Sequence, residues 1–283
     1  MKIGIIGAGR VGCSLGKYLA ESGQAPAGFF SKSKKSVEDA ATFTNTRAFS
    51  SLEELAKLCD VIWITTPDGA IGPVWDSIRN LSVHDKIICH FSGSLSSVVF
   101  SNRVEQGCRA CSIHPMYAFN EKFTSYKQLK NVLFTIEGDS GAVSSMRQLF
   151  EKLGNQVCII PPDKKTRYHL AAVMASNLMI GLYQMSLDML ADCGFDGETA
   201  KALLAPLVRE NIGKMLTASP EQALTGPVER GDTATLEAHL KILTPQEKKV
   251  YTALSERLTD IAERKNPGRD YGQIKDIWKG IQE

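Results

Sequence analysis

The chain reads as an α/β domain built on a parallel sheet, followed by an all-α domain. Three observations predict this. Short runs rich in Ile and Val alternate with helical patterns through the first half of the 283 residues, as expected for strands buried on both faces. Pro161-Pro162 then punctuates the chain. Beyond it the periodicity is helical and no convincing strand recurs. Residues 1–161 are therefore expected to form the α/β domain and residues 162–283 the helical one.

The elements follow in order. Strands are predicted at Lys2–Ile6, Ala27–Phe30, Val61–Thr65, Lys86–Phe91, Ala110–Ile113, Val132–Ile136 and Val157–Ile160. Helices between them are predicted at Val11–Ser22, Ser51–Leu58, Ile71–Arg79, Ser96–Glu105 and Ala142–Leu153. After Pro162, one long helix pattern runs from Lys164 to Cys193 and stops at Gly194, a residue suited to ending a helix. Further helices are predicted at Gly197–Thr217, Thr233–Ile242, Pro245–Arg264 and Tyr271–Ile281.

The first loop carries the sharpest motif. Gly7-Ala8-Gly9-Arg10-Val11-Gly12 follows the apolar run Lys2–Ile6 directly and opens a helix. In that setting the first glycine allows a tight turn and the second lets backbone approach a pyrophosphate. The third lets helix and strand pack closely, while the helix N-terminus offers free N–H groups. This is the fingerprint of a Rossmann dinucleotide site. A ligand-free strand–helix turn is the plain alternative.

The second strand identifies the dinucleotide. An NAD site usually places a carboxylate there for the ribose 2′-OH. Here the strand ends in Ser31-Lys32-Ser33-Lys34-Lys35, and no carboxylate lies between Glu21 and Glu38. Hydroxyls and lysines suit a 2′-phosphate dianion, so NADP is expected over NAD, with Ser31, Lys32 and Ser33 as its contacts. A solvated basic loop is the alternative.

In open α/β sheets, ligands bind at the carboxyl ends of the strands. Thr65, Thr66 and Pro67 follow the third predicted strand, and Ser92-Gly93-Ser94 the fourth. Thr65, Thr66, Pro67, Ser92 and Gly93 are expected to flank the cofactor, and Ser94 to reach substrate. Asp68 is read as a cap for the helix near Ile71, and the serines could equally be caps before Ser96. His114-Pro115 ends the next strand, where an imidazole could serve as acid or base in hydride transfer or be satisfied by nearby backbone.

The long helix adds a polar stripe. With His169 at zero and roughly 100° per residue, Lys165 lies near about −40°, Ser176 near about −20°, Gln184 near about +60° and Asn177 near about +80°. The rest is Leu, Ala, Met, Ile and Gly. A helix apolar nearly all round is a buried one, and its stripe needs partners. His169 and Asn177 are expected at the site, with Lys165 in reserve. Gly226-Pro227-Val228-Glu229-Arg230-Gly231-Asp232 makes a dense turn in which Arg230 could clamp a substrate anion or pair with a carboxylate.

Composition excludes other classes. Net charge is +2, so no strong field points to nucleic acid or an anionic membrane. No apolar stretch is expected to span a bilayer, and no secretory leader is recognised. The seven cysteines then read as reduced thiols of a cytoplasmic protein. Cys108-Arg109-Ala110-Cys111 lacks the second pair or histidines of a metal site and fits strand alternation instead. No metal is expected. The apolar helices, including Leu170, Met174, Leu178, Leu182 and Leu203, carry more surface than a domain of this size hides alone, so a homodimer is expected.

Taken together, the glycine fingerprint, Thr66-Pro67-Asp68, Ser92-Gly93-Ser94, His114-Pro115, Tyr168-His169, Ser176-Asn177 and Gly226-Pro227 with Arg230-Gly231-Asp232 resemble a bacterial family. That family joins a Rossmann-like half to a helical domain of unknown function. The resemblance covers nearly the whole chain. It implies kinship with pyrroline-5-carboxylate reductase, prephenate dehydrogenase and the 6-phosphogluconate and 3-hydroxyisobutyrate dehydrogenases. It therefore implies a helical domain like that of 6-phosphogluconate dehydrogenase, used for dimerisation. His114-Pro115 is similar to the His-Pro of prephenate dehydrogenases. One departure matters. The hydroxyacid dehydrogenases place a Lys four residues before an Asn, and Val173 stands at that spacing before Asn177, so their lysine mechanism does not carry over. Two functions follow as expectations: an NADP-dependent oxidoreductase acting on a small, polar, anionic metabolite, or a non-catalytic NADP(H) sensor.

Overall fold

The computed structural model describes residues 1–282. The first compact unit, Met1–Ile180, is an eight-stranded sheet. Its strands are β1 (Ile3–Ile6), β2 (Gly28–Phe30), β3 (Arg47–Ala48), β4 (Val61–Ile64), β5 (Ile87–His90), β6 (Arg109–Pro115), β7 (Phe134–Gly138) and β8 (Val157–Ile159), ordered β3-β2-β1-β4-β5-β6-β7-β8. Order reverses at β1, between β2 and β4, which is where such sheets open a ligand crevice. All four residues of β1, β4 and β5 are buried. Successive side chains enter opposite layers: Ile5, Trp63, Cys89 and Ile113 pack in one core, and Ile6, Ile62, Ile64 and Ile88 in the other. This two-sided burial is why the strands read as unbroken apolar runs.

The helices of this unit are α1 (Arg10–Glu21), α2 (Lys34–Thr44), α3 (Leu52–Leu58), α4 (Asp68–Ile78), α5 (Ser140–Lys152), α6 (Lys165–Ala175) and the start of α7 (Asn177–Asp192). Four features differ from the sequence expectation. The basic stretch after β2 is helical: Ser33 caps α2 by accepting from Ser36 N–H at 3.2 Å, and the short β3 follows it. The helix expected at Ser96–Glu105 is a single 3₁₀ turn, Ser97–Val99, because left-handed Asn102 (φ 57°) and Gly107 (φ 68°) break the path. The sheet is not wholly parallel: β7 runs antiparallel to β6, with Ile113 opposite Ile136. The chain folds back beside β6 through the 3₁₀ segment Ser125–Asn131 rather than through a full crossover. The long helix is broken at Ser176, whose φ of −127° and ψ of −76° lie outside the helical region and whose hydroxyl donates to Ala172 O at 2.6 Å. Such back-bonding bends helices.

The second compact unit, Gly181–Glu283, begins nineteen residues beyond the expected boundary, because α6 clusters with the sheet. Among the described residues it contains no strand. It holds the rest of α7, α8 (Gly197–Thr217), α9 (Pro220–Ala223), α10 (Pro227–Arg230), α11 (Thr233–Ile242), α12 (Pro245–Lys265) and α13 (Gly272–Gln282). Its core gathers Val228, Leu236, Ala262, Tyr271, Ile274 and Trp278.

The expectation that no apolar stretch is long enough to span a bilayer is met by one exception in length and composition alone, a test that core helices also pass. The helical run Pro162–Asp192, 31 residues, is long and apolar enough by length and composition to cross a bilayer. The cause is the charge-free stretch from Leu170 to Leu187, and no residue of α7 is buried. All seven cysteines are free. Cys108 and Cys111 fall in opposite core layers, as strand alternation requires.

Candidate active site

The glycine turn is built for close packing and open approach. Gly7 has φ +112°, where L side chains are strained. A Cβ on Gly12 would lie 2.1 Å from Gly7 O and 2.5 Å from Thr65 Oγ1, whereas nothing lies within 4 Å of one on Gly9. Thr65 fixes the turn by donating to Gly7 O at 2.9 Å. Ala8 is buried in the core. Helix α1 starts at Arg10 with no side-chain cap and no acid in its first turn, leaving its N–H groups free for an anion.

Two cavities flank this turn. The first, about 320 Å³, is lined by Gly7, Phe30, Ser31, Lys32, Thr66 and Pro67 among others. The second, about 330 Å³, is lined by Gly9, Arg10, Val11, Thr65, Thr66, Pro67, Asp68 and Ser92 among others. Thr66 Oγ1 is buried without a partner. An open second glycine, a free helix N-terminus and an orphaned hydroxyl fit a dinucleotide. Ser33 does not line either cavity, and its hydroxyl oxygen caps α2.

At the ends of β5, β6 and β7 lies a cluster of titratable groups around Gly93. A Cβ on Gly93 would sit 2.7 Å from His169 Nδ1 and 2.8 Å from His114 Nε2, so only glycine lets both imidazoles face this backbone. The other nitrogen of His114, Nδ1, is 2.9 Å from Tyr168 Oη. Lys165 is 1% exposed, with Nζ unpartnered and 5.7 Å from the centre of the Tyr168 ring. Lys165, Tyr168 and His169 are spaced i, i+3, i+4 and so share one face of α6. His90 is fully buried: Nδ1 accepts from Ser92 N–H at 3.2 Å while Nε2 has no partner. Glu137, in β7, is also fully buried, and its oxygens accept from Ser97 N–H at 2.7 Å and Ser97 Oγ at 2.8 Å.

Burial governs the charges here. It pushes the His114 imidazole down to about 4, assisted by the Lys165 ammonium and His169. It pushes His90 to about 4, again with Lys165 contributing. Burial lowers Lys165 to about 8, opposed by the Glu137 and Asp68 carboxylates. At neutral pH, His114 and His90 are thus uncharged hydrogen-bonding rings beside an ammonium.

Of the sequence candidates, the structure brings His114, His169 and Lys165 together with Gly93. It does not bring Asn177 to them: that residue is exposed at the helix break, its Oδ1 3.1 Å from Ser176 Oγ. Ser92 Oγ accepts from Ser94 N–H at 3.1 Å and Leu95 N–H at 2.9 Å, the capping alternative. Ser94 Oγ donates to Asp68 Oδ2 at 2.7 Å. Asp68 is the first residue of α4 and caps nothing, since Pro67 holds that position. In the second unit, exposed Arg230 lies 3.9 Å from Asp232, whose carboxylate caps α11. Sequence reasoning missed Tyr168, His90 and Glu137 as members of the site. An acid and an imidazole ending buried apolar strands were the available signal.

The comparisons place the two halves. Residues 1–115 match the Rossmann-like domain, and residues 132–258 match a domain of unknown function, DUF2520. The chain joins a Rossmann-like domain to a DUF2520 domain. No curated protein matches it. Among solved structures, a Thermotoga maritima protein is 26% identical with TM-score 0.75, covering 93% of this chain and 99% of its own. The Plasmodium falciparum pyrroline carboxylate reductase, solved with NADP bound, is 15% identical with TM-score 0.58 and coverages of 94% and 97%. An imine reductase from Myxococcus stipitatus in complex with NADP+ is 16% identical with TM-score 0.61 and coverages of 95% and 95%. These likenesses show the shared fold.

Proposed function

We propose that this Rossmann–DUF2520 chain is a cytoplasmic NADP(H)-dependent oxidoreductase that moves hydride to or from a small, polar, anionic metabolite. The observation that carries the reading is the uncapped glycine turn of α1 beside a buried cluster of unpartnered polar groups at Gly93. The turn Gly7–Gly12 would hold the pyrophosphate. Ser31 and Lys32, ahead of the acid-free first turn of α2, would hold the 2′-phosphate. Thr66, Pro67 and Gly93 would flank the nicotinamide, which supplies hydride when bound. His114, His169 and Lys165 then provide proton donors and positive charge for the substrate atom that gains electrons. The exposed apolar face of α7 is the proposed seat of a second copy of the chain.

A non-catalytic NADP(H) sensor is the alternative. It would be favoured by apolar side chains beside the strand ends. Two imidazoles and a desolvated lysine stand there instead, the groups proton transfer requires. Calorimetry tests the cofactor directly. One charge-assisted contact to the 2′-phosphate contributes roughly 1.5–3 kcal/mol, or about tenfold or more in affinity, so NADPH should bind at least that much more tightly than NADH. Equal affinities would overturn the assignment.

A further inference from the structure

A neutral His114 raises a question about where its proton comes from. An imidazole pushed down to about 4 holds almost no imidazolium at neutral pH, so it donates only as a neutral N–H ring. A neutral ring has one donor and one acceptor nitrogen. Here Nδ1 is 2.9 Å from Tyr168 Oη, and Nε2 faces Gly93, 2.8 Å from where a Cβ would stand. Tyr168 Oη has one proton; besides His114 it meets the Thr135 hydroxyl, which stabilises its oxygen, and Met116 Sδ at 3.9 Å. The ring pair meets edge-on, with centroids 5.6 Å apart and planes at 84°.

We infer that Tyr168 is a positioning residue that donates to His114 Nδ1, fixes the Nε2–H tautomer, and replaces the proton His114 gives to substrate. This rests on the proposed reductase reading. The hydride brings two electrons to the substrate carbon, and the C=N or C=O π pair moves to nitrogen or oxygen. That atom takes the Nε2 proton while Nδ1 takes the Tyr168 hydroxyl proton, so His114 ends neutral in its other tautomer. The tyrosinate is left beside the Lys165 ammonium, which lies over the ring, and takes a proton from water at the half-buried edge of Tyr168. No imidazolium forms at any point. The relay needs no charged histidine, and burial, which raises the Tyr168 hydroxyl above its ordinary value, keeps Tyr168 protonated as the donor to Nδ1. The accepted substrate is a compound whose carbon takes hydride while its heteroatom gains a proton: an imine or a carbonyl.

The test is nitrogen NMR of the full chain, labelled in histidine, at neutral pH and without cofactor. The expected spectrum has His114 protonated at Nε2 and bare at Nδ1. Tyr168→Phe should shift it to a mixture of tautomers while the other imidazoles stay in place. A wild-type His114 protonated at Nδ1, or at both nitrogens, would overturn the inference, as would an unchanged tautomer in the variant. A kinetic arm uses NADPH and an anionic cyclic imine, pyrroline-5-carboxylate. There Tyr168→Phe should lower kcat about tenfold or more, in the range of a lost proton donor, with KM and NADPH affinity within about twofold. An unchanged kcat would count against the relay. If the wild-type protein does not bind NADPH, the reductase reading fails, and the tautomer measurement still decides the Tyr168–His114 pairing.

Discussion

Lys165 shows at the scale of one residue how the site is held at the expense of stability. A buried ammonium without a hydrogen-bond partner is costly, and here Glu137 offers opposite charge without contact, its oxygens being engaged by Ser97. The folded value of about 8 lies below the ordinary 10.5. Between those values the unfolded chain keeps a proton that the folded chain has lost, so stability rises with pH through that window. Below it the penalty is fully present, on the order of 3 kcal/mol. Lys165→Met should therefore be more stable than the parent at pH 7, and the difference should shrink as pH approaches about 10.5. Denaturant titrations at several pH values would show this, and a variant no more stable at pH 7 would contradict it. The sequence made His114, His169 and Lys165 legible because strand ends and helix spacing locate residues. It hid Tyr168 and His90, because their roles depend on what each ring nitrogen meets across the fold.

At the scale of elements, the consequential difference is α2. The stretch Ser31–Lys35 looked like a basic loop because three lysines and three serines in six residues mask a short amphipathic helix whose buried face is only Val37, Ala40, Ala41 and Thr44. Its start brings a helix N-terminus close to the corner expected to take the 2′-phosphate, adding a favourable dipole end. Ser31 lines the adjoining cavity, but Ser33 does not. Ser31→Asp should weaken NADPH binding about tenfold or more and leave NADH binding nearly intact. Calorimetry with both cofactors checks it, and a parallel loss for both would place the corner outside the phosphate site. The strands were legible from their unbroken apolar runs. The antiparallel turn-back at β7 was not, because Val132–Ile136 looks the same in either direction.

At the scale of the molecule, the exposed apolar residues of α6, α7 and α8 set the expectation. Leu178 is 55% exposed, Ile180 69% and Leu216 76%, and exposed apolar surface of this extent marks an interaction site. On the proposed reading, a second copy of the chain would cover it. Sedimentation at micromolar concentration should return twice the chain mass, and a single-chain mass in detergent-free buffer would remove the dimer. The position of the nicotinamide decides whether the Gly93 cluster is an active site. A crystal structure with NADPH bound tests that most directly. It should show the pyrophosphate at Gly7–Gly12 and the nicotinamide beside Gly93, with His114 Nε2 open to a substrate atom. A nicotinamide held elsewhere, with Gly93 and His114 sealed behind protein, would contradict it.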